Sequence, residues 1–284
     1  ISNKLKATTT KGVVIAIYNQ NELIGFTSLN TDLFFNEYMN MSYLHIKKEY
    51  RGKGIGKKMF HLISLEALKS GAKKMYISAN PAYETIQFYL KTGSVLTKKI
   101  NKELHDLEPV DIHLEYTLNY SEILYRLTNQ EFKEFPLVNA SAINKVASRL
   151  YRYLPKDNKT FIDVCECFIK ERKYGYFSVA TLWMKRRKSI ITESNIERFE
   201  TFLYTYCDGW ARIDQFCYRV LNPMTNTFPF MYEYLLKWSK SDNKDVRRAS
   251  LVSMIISSQG QSLLYDYDKM IYLVEYLKHD TDFH

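Results

Sequence analysis

The sequence contains little glycine, proline or cysteine, and no long hydrophobic run. Only 10 glycines and 6 prolines occur among 284 residues, which disfavours loop-rich β architecture and favours long regular elements. No apolar run is long enough to cross a membrane. The first residues have neither the apolar core nor the cleavage site of a signal peptide, so we expect a cytoplasmic protein. Because the sequence does not begin with Met, we expect the native N-terminus to lie upstream or to have been processed.

The cysteines do not form a ligand or disulfide pattern. They include one C-x-C pair and lie in aromatic and apolar helical sequence, at Cys165, Cys167, Cys207 and Cys217. Buried thiols in a reducing compartment are therefore predicted, rather than disulfides or zinc, and no metal site is expected.

The composition is that of a folded protein with a moderate basic surplus. With 46% hydrophobic and 25% charged residues, it excludes disordered and collagen-like classes. The net charge of +9 divides almost evenly, since 16 basic and 11 acidic side chains precede residue 119 and 24 basic and 20 acidic ones follow. The length fits two modest domains, which we place at residues 1–118 and 119–284.

The first domain is predicted to be α/β. Apolar residues alternate with period two, which is typical of strands, and the first three strands form an apparent antiparallel meander. Helical spacing of apolar residues interrupts the alternation twice, and a glycine ends each helix, Gly71 and Gly93 respectively. The strands are predicted at residues 12–18, 23–29, 41–47, 74–78, 94–100 and 112–118, and the helices at 55–70 and 84–90.

The second domain is predicted to be all-α. From about residue 121, helix-length apolar segments follow one another, and roughly eight helices of about 11–18 residues fit. Paired helices stacked as a solenoid suit such a series, because each pair needs its neighbours to bury its faces, and a globular bundle is the alternative. Ser194 followed by Glu197 predicts a capping box at one helix start.

A glycine-rich basic segment lies where a strand gives way to a helix, between Ile46 and Lys58. Successive glycines let main-chain N–H groups approach a phosphate, and the first amides of a helix add the positive end of its dipole. Arg51 and the lysines at 53, 57 and 58 add charge nearby. A pyrophosphate-bearing ligand is predicted here, and a glycine turn beside a solvated lysine face is the alternative.

This segment resembles motif A of the Gcn5-related N-acetyltransferase (GNAT) family. An aliphatic residue, an Arg and two glycines stand at the motif's spacing, at Ile46, Arg51, Gly54 and Gly56. The stretch from Asn80 to Gly93 resembles motif B, and the order of elements also agrees. The resemblance covers residues 12–118 and implies a GNAT-like, mostly antiparallel sheet with flanking helices.

The resemblance further implies acetyl-CoA as cofactor and an amine as acceptor. Tyr89 stands where the family often has a tyrosine that protonates the departing thiolate, and a core tyrosine is the alternative. The base is open between His45, Glu37 and a water relay. Only some 11 residues precede the first strand, where the family usually has a strand and two helices, so the acceptor amine is not predicted. The implied cofactor-binding residues are Leu44, His45, Ile46, Arg51, Gly52, Lys53, Gly54, Ile55, Gly56, Lys57 and Asn80.

In the second domain, Trp210 and Asp214 stand four residues apart, on one side of a helix. An indole attracts a cationic base, and a carboxylate balances positive charge as a glycosidic bond lengthens. A packed tryptophan beside a solvated aspartate is the alternative. A W-x-x-S-x-N-x-x-x-R-R stretch then begins at Trp238.

This order of motifs resembles the HEAT-like repeat DNA glycosylases that remove alkylated purines, over residues 120–284. The resemblance implies duplex DNA with alkylated purines as substrate and Asp214 as the catalytic carboxylate. Asp245 stands where the family commonly has a tryptophan, which should weaken DNA or lesion binding. A non-enzymatic DNA or protein adaptor therefore stays open for the whole chain. Arg247 or Arg248 is implied to anchor a helix or to contact the DNA backbone. The other implied DNA contacts are Trp210 and the basic run that includes Arg186 and Arg187, flanked by Lys185 and Lys188.

Overall fold

A computed structural model describes residues 12–255 and 265–282. Residues 1–11, which the sequence analysis places before the first strand, lie outside the described residues. The chain forms two compact units that meet between Glu134 and Phe135. The predicted domain boundary lies earlier, at residue 118, and the helix that follows it packs in the first unit.

The first unit is built on a six-stranded sheet in the order β1-β2-β3-β4-β6-β5. Neighbouring strands are antiparallel except β3 and β4, which are parallel, so the mixed and mostly antiparallel sheet is confirmed. The strands are β1 (Gly12–Asn19), β2 (Glu22–Asn30), β3 (Tyr38–Ile46), β4 (Lys74–Ala79), β5 (Val95–Leu96) and β6 (Ile112–Thr117).

One predicted strand is much shorter than expected. The pattern predicts a strand over residues 94–100, but only Val95–Leu96 pairs with β6. The Thr97 hydroxyl accepts a hydrogen bond from the Lys99 amide at 3.1 Å, which forms a local turn and takes the chain away from the sheet.

The helices of the first unit are α1 (Ile55–Lys69), α2 (Tyr83–Thr92), α3 (Lys102–Leu107) and α4 (Tyr120–Phe132). Helix α1 buries Met59, Phe60 and Ile63 and packs on β1 to β4. The predicted glycine ends are confirmed, because Gly71 and Gly93 adopt φ values of +96° and +97° after α1 and α2. Helix α4 packs along α1, and its position places the boundary between the units after Glu134.

The second unit is all-α, as predicted. A π turn, Cys217–Leu221, joins α9 to α10. The helices are α5 (Ala140–Tyr151), α6 (Asn158–Lys170), α7 (Tyr176–Arg186), α8 (Ile196–Tyr206), α9 (Trp210–Phe216), α10 (Asn222–Thr225), α11 (Met231–Ser239), α12 (Lys244–Val252) and α13 (Tyr267–Leu277).

These helices form two layers. Helices α5, α7, α9 and α12 stack in one layer, and α6, α8, α11 and α13 stack in the other. Side-chain hydrogen bonds between stacked helices join residues 32 to 40 positions apart, as in Arg198 to Glu166 and Tyr206 to Glu166. A recurring separation of this size is what paired-helix repeats produce.

Several local predictions for this unit are wrong. Helices α9, α11 and α12 have 7, 9 and 9 residues, fewer than predicted. The capping box is absent, because a 3₁₀ turn over Glu193–Asn195 makes Asn195 the N-cap and the Ser194 hydroxyl lies 3.0 Å from that of Thr192.

Three of the cysteines are buried as predicted, whereas Cys167 is exposed. Within residues 12–255 and 265–282, no helix is both long and apolar enough to cross a membrane.

Candidate functional site

The glycine-rich segment forms a loop lined by main-chain donors. Gly52 and Gly54 adopt φ values of +77° and +79°, which other residues rarely adopt, and open space surrounds both. The first helical hydrogen bond of α1 runs from the Lys58 amide to the Gly54 carbonyl. The amides of Ile55–Lys57 therefore have no partner within the helix and lie at the positive end of its dipole. The loop offers donors to an anion, as a phosphate requires.

The basic side chains of this loop differ in their partners. Arg51 Nε donates to the Ile46 carbonyl at 3.0 Å. Lys58 Nζ lies 2.6 Å and 3.0 Å from carboxylate oxygens of Glu131 and Glu134. Within the described chain, no carboxylate pairs with Lys53 or Lys57, so these two lysines keep their charge available to a ligand.

An open strand edge lies beside the loop. Strand β3 pairs with β4 only through residues 38–40, which face 74–76, and the following residues of β3 pair only with β2. The register shifts between Ser28 and Leu29 of β2, which marks a bulge in β3. The main chain of Leu44–Ile46 therefore has one edge without a strand partner among the described residues.

Asn80 directly follows β4, the strand that pairs with the start of β3, and Tyr89 lies in the next helix, α2. The Asn80 side chain accepts a hydrogen bond from the Ala82 amide at 3.1 Å, just before α2 begins. Tyr89 is only 7% exposed, and burial raises the pKa of its phenol, which stays protonated at neutral pH. A Cβ atom on Gly56 would lie 3.3 Å from the Phe88 ring, so the start of α1 packs against α2 one residue before Tyr89.

The two candidate bases lie at opposite ends of β3. Glu37 precedes the strand, and its contact with Lys99 at 2.8 Å lowers the pKa of its carboxyl group. His45 lies next to the open edge, about 26 Å further along the strand at its usual rise per residue. Glu37 is therefore too far from the open edge at Leu44–Ile46 to act there, and His45 is the better candidate.

In the second unit, α9 carries the aromatic and acidic side chains of the W-x-x-x-D segment. Trp210 is the first residue of α9 and is 70% exposed, so its indole is not a packed core ring. Arg248 of α12 donates from Nε and Nη2 to the two carboxylate oxygens of Asp214, at 2.8 Å and 2.9 Å. This pairing raises the pKa of Arg248 and fixes the plane of the Asp214 carboxylate one turn from the exposed indole.

The family models match both units. The model of the DNA alkylation repair enzymes matches residues 126–284, more than half of the chain. The chain belongs to the DNA alkylation repair enzyme family. The GNAT acetyltransferase domain model matches residues 10–93. No curated protein matches the sequence.

Solved acetyltransferase structures are similar to the first part of this family member. An Elizabethkingia anophelis GNAT family acetyltransferase with acetyl-CoA bound is 20% identical, covers 42% of this chain and 84% of its own, and has a TM-score of 0.36. Tetrahymena GCN5 is 11% identical over 42% and 77% of the two chains, with a TM-score of 0.34. A Thermoplasma acidophilum PaiA N-acetyltransferase with coenzyme A is 19% identical over 40% and 67%, with a TM-score of 0.33.

Asp245 of this DNA alkylation repair family member makes a contact that its sequence context does not reveal. Its carboxylate accepts a hydrogen bond from the Gly209 amide at 2.9 Å. Gly209 has a φ of +76° and directly precedes Trp210. Asp245 therefore holds the start of α9, where the Trp210 indole lies. The two residues are 36 positions apart, so no local sequence pattern predicts their contact.

The other arginines singled out in the sequence make contacts within the unit. Arg247 contacts Asp280 and Asp282, each at 2.5 Å. Arg187 donates to the carbonyls of Pro155 and Lys156 and lies 4.1 Å from the Phe161 ring centre. Arg186 donates to the Ser148 hydroxyl at 2.5 Å. Arg247 thus has the helix-anchoring contacts that the sequence analysis offered as one of its roles.

Proposed function

We propose that the first unit is an acetyl-CoA-dependent N-acetyltransferase. The observation that carries this proposal is the glycine loop with free amides beside the open edge of β3. Its chemistry fits a pyrophosphate, because the loop presents donors and uncommitted lysines and its two αL glycines face open space. The amides from Gly52 to Lys57 would hold the pyrophosphate, whereas the Arg51 amide already donates to the Lys48 carbonyl. The edge of Leu44–Ile46 with Asn80 would hold the pantetheine arm and the acetyl group.

The residues around the open edge then have distinct tasks. When bound, acetyl-CoA supplies an activated acetyl group as a thioester. The free edge of β3 orients the carbonyl, and the Tyr89 phenol, which burial keeps protonated, holds a proton for the thiolate. His45 takes the proton of the attacking amine. The match of the GNAT acetyltransferase domain model to residues 10–93 supports this assignment.

The test is an acetyl-CoA titration of the full chain by calorimetry, followed by thiol release with a panel of primary amines. We expect saturable binding and amine-dependent release of free thiol. Tyr89→Phe should keep the binding and slow the release. Absence of acetyl-CoA binding by the wild-type chain would contradict the proposal.

We also propose that the second unit is an alkylpurine DNA glycosylase. The observation that favours it is the exposed Trp210 indole one turn from a carboxylate held at both oxygens. The indole would contact a cationic alkylated base, and Asp214 would stabilise the oxocarbenium-like sugar as the glycosidic bond lengthens. Membership of the DNA alkylation repair enzyme family supports this assignment.

The test measures release of N7-methylguanine from methylated duplex DNA by the full chain. We expect release by the wild type and its loss in Asp214→Asn. Asp208→Asn is the matched control, because Asp208 is exposed, pairs with Arg172 and lies just before the same helix. Duplex binding without base release would favour a non-enzymatic adaptor, and equal release by the wild type and Asp214→Asn would exclude Asp214 as the catalytic carboxylate.

A further inference from the structure

A half-buried arginine in the second unit has no acidic partner. Arg219 lies in the π turn after α9, and burial lowers the pKa of its guanidinium. Every Asp and Glu of the sequence falls within the described residues, and none of them pairs with Arg219. Arg198 is also partly buried, yet it contacts Asp163 and Glu166, each at 2.7 Å. A buried cation without a counter-charge is costly, so the environment of Arg219 favours an external anion.

The guanidinium is held in place by neutral acceptors on one side only. Its Nη1 donates to the Ser178 carbonyl at 3.2 Å, to the Thr181 hydroxyl at 2.8 Å and to Gln215 Oε1 at 3.0 Å. Within the described residues, Nε and Nη2 donate to no protein group. The side chain is thus oriented while two of its three nitrogen atoms keep their donors free.

Gln215 adds further donors at the same place. Its Oε1 accepts from the Ser178 hydroxyl at 2.6 Å as well as from Arg219. A guanidinium only donates, so the oxygen must face it, and the Gln215 amide nitrogen points elsewhere. That nitrogen has no partner in the part of the chain that the structure describes. The group of free polar atoms consists of donors alone, which suits a phosphate.

The free donors of Arg219 and Gln215 lie on or directly after α9, the helix that carries Trp210 and Asp214. Gln215 is the neighbour of Asp214, and Tyr218, which precedes Arg219, is 46% exposed. The Asp214 carboxylate contacts Arg248 of α12, whereas Gln215 and Arg219 contact Ser178 of α7, so the anion site and the Asp214 carboxylate face different neighbours of α9. The π turn widens the helix at this point, and such turns are frequent at functional sites.

We propose that Arg219 and Gln215 form an anion site that binds a phosphodiester of a nucleic-acid strand whose nucleotide lies over Trp210 and Asp214. The choice of a nucleic-acid strand rests on the proposed function of the second unit. The chemistry of the site, a phosphate held by guanidinium and amide donors, does not.

The experiment uses the full chain with arginine labelled by ¹⁵N and two probes, inorganic phosphate and a methylated DNA duplex. The Arg219 Nε–H resonance is identified by its loss in Arg219→Lys. We expect phosphate to shift this resonance saturably and to leave that of Arg198 in place. In Gln215→Glu the anion site should be lost although Arg219 remains, because the new carboxylate pairs with it.

For the duplex, we expect Arg219→Gln to weaken binding about tenfold and to lower the slope of log affinity against log salt by about 0.9, the loss of one phosphate contact. Arg198→Gln is the matched control and should keep the wild-type slope. An Arg219 resonance that phosphate does not shift would overturn the site.

A wild-type slope in both Arg219→Gln and Gln215→Glu would overturn the nucleic-acid ligand. Phosphate binding at Arg219 by a chain that binds no duplex would also do so and would leave free phosphate as the ligand. Failure of base release alone, with both slopes changed as expected, would count against the glycosylase activity and not against this site.

Discussion

The two candidate sites of this chain differ in the groups that form them, which are main-chain amides in one and side chains in the other. In the first unit the glycine loop presents main-chain amides, and its shape depends on two glycines with positive φ. In the second unit the site consists of side chains, an indole and a carboxylate, which a second helix holds through Arg248. A main-chain site depends on backbone conformation and tolerates most side chains around it. A side-chain site depends on the identity of each residue and of its partner.

The sharpest test of this contrast is Gly54→Glu. We expect loss of detectable acetyl-CoA binding, because a side chain at φ +79° costs about 1–2 kcal/mol and the new carboxylate repels a pyrophosphate. Gly54→Asn is the control, since Asn tolerates this conformation and adds no charge. Lys53→Ala should weaken binding by less than about tenfold. Calorimetric titration with acetyl-CoA measures the affinity of each variant. A near wild-type affinity in Gly54→Glu would show that the loop does not bind acetyl-CoA.

The matching test in the second unit concerns Arg248, a positioning residue for Asp214. Arg248→Met should lower base release about a hundredfold, because truncating one member of a partly buried ion pair leaves the other unpaired. Arg248→Lys should restore part of the rate. The loss should appear in kcat and not in KM, because the carboxylate that Arg248 orients acts only as the glycosidic bond lengthens. A loss confined to KM in Arg248→Met would reduce Arg248 to a structural contact.

The features that the sequence predicts well are those with short-range signals. Strand alternation, the glycines that end α1 and α2, and the spacing from Ile46 to Gly56 all lie within some ten neighbouring residues. They predict most strands and both main helices of the first unit correctly. Helix α3 was missed because six residues are too few to show a helical period.

Contacts between stacked helices could not be predicted. The hydrogen bond from Gly209 to Asp245, the ion pair of Arg247 with Asp280 and the lack of an acidic partner for Arg219 all depend on which helices become neighbours. From the sequence, Asp245 stands where the family commonly has an aromatic residue, and Arg247 is a candidate DNA contact. The structure shows both engaged with the main chain or with acids of their own unit.

Acid should affect the stability of the two units differently. His61 of α1 is buried, and burial lowers its pKa from 6.5 to about 3, whereas the one described histidine of the second unit, His279, is exposed. Below pH 6.5 the His61 imidazole binds a proton in the unfolded chain but not in the folded chain. The contribution of His61 to the stability of the first unit is therefore fully present above pH 6.5 and is lost as the pH falls towards 3. By pH 5 the loss is about 2 kcal/mol.

Hydrogen exchange over residues 55–69 at pH 7 and pH 5 would measure this loss within the first unit. The variant His61→Leu should lose the part of the pH dependence that His61 causes, whereas the part from His113, whose pKa burial also lowers, should remain. The exchange of the α7 and α8 amides in the second unit should serve as the internal control. An equal loss of protection in both units at pH 5 would contradict the assignment to His61.

The smallest expected effect concerns Asp245, because two variants can separate the effect of its negative charge from the effect of its hydrogen bond to the Gly209 amide. Asp245→Asn keeps an oxygen that can accept from the Gly209 amide and removes the negative charge, so duplex affinity should rise about threefold at low salt and the gain should fade as salt increases. Asp245→Ala removes the same charge but frees the loop before Trp210, so base release should fall although repulsion has gone. If both variants gain affinity and release base equally well, Asp245 acts only through its charge. If only Asp245→Asn keeps base release, the carboxylate that replaces the family's tryptophan has taken over the task of holding the exposed indole in place.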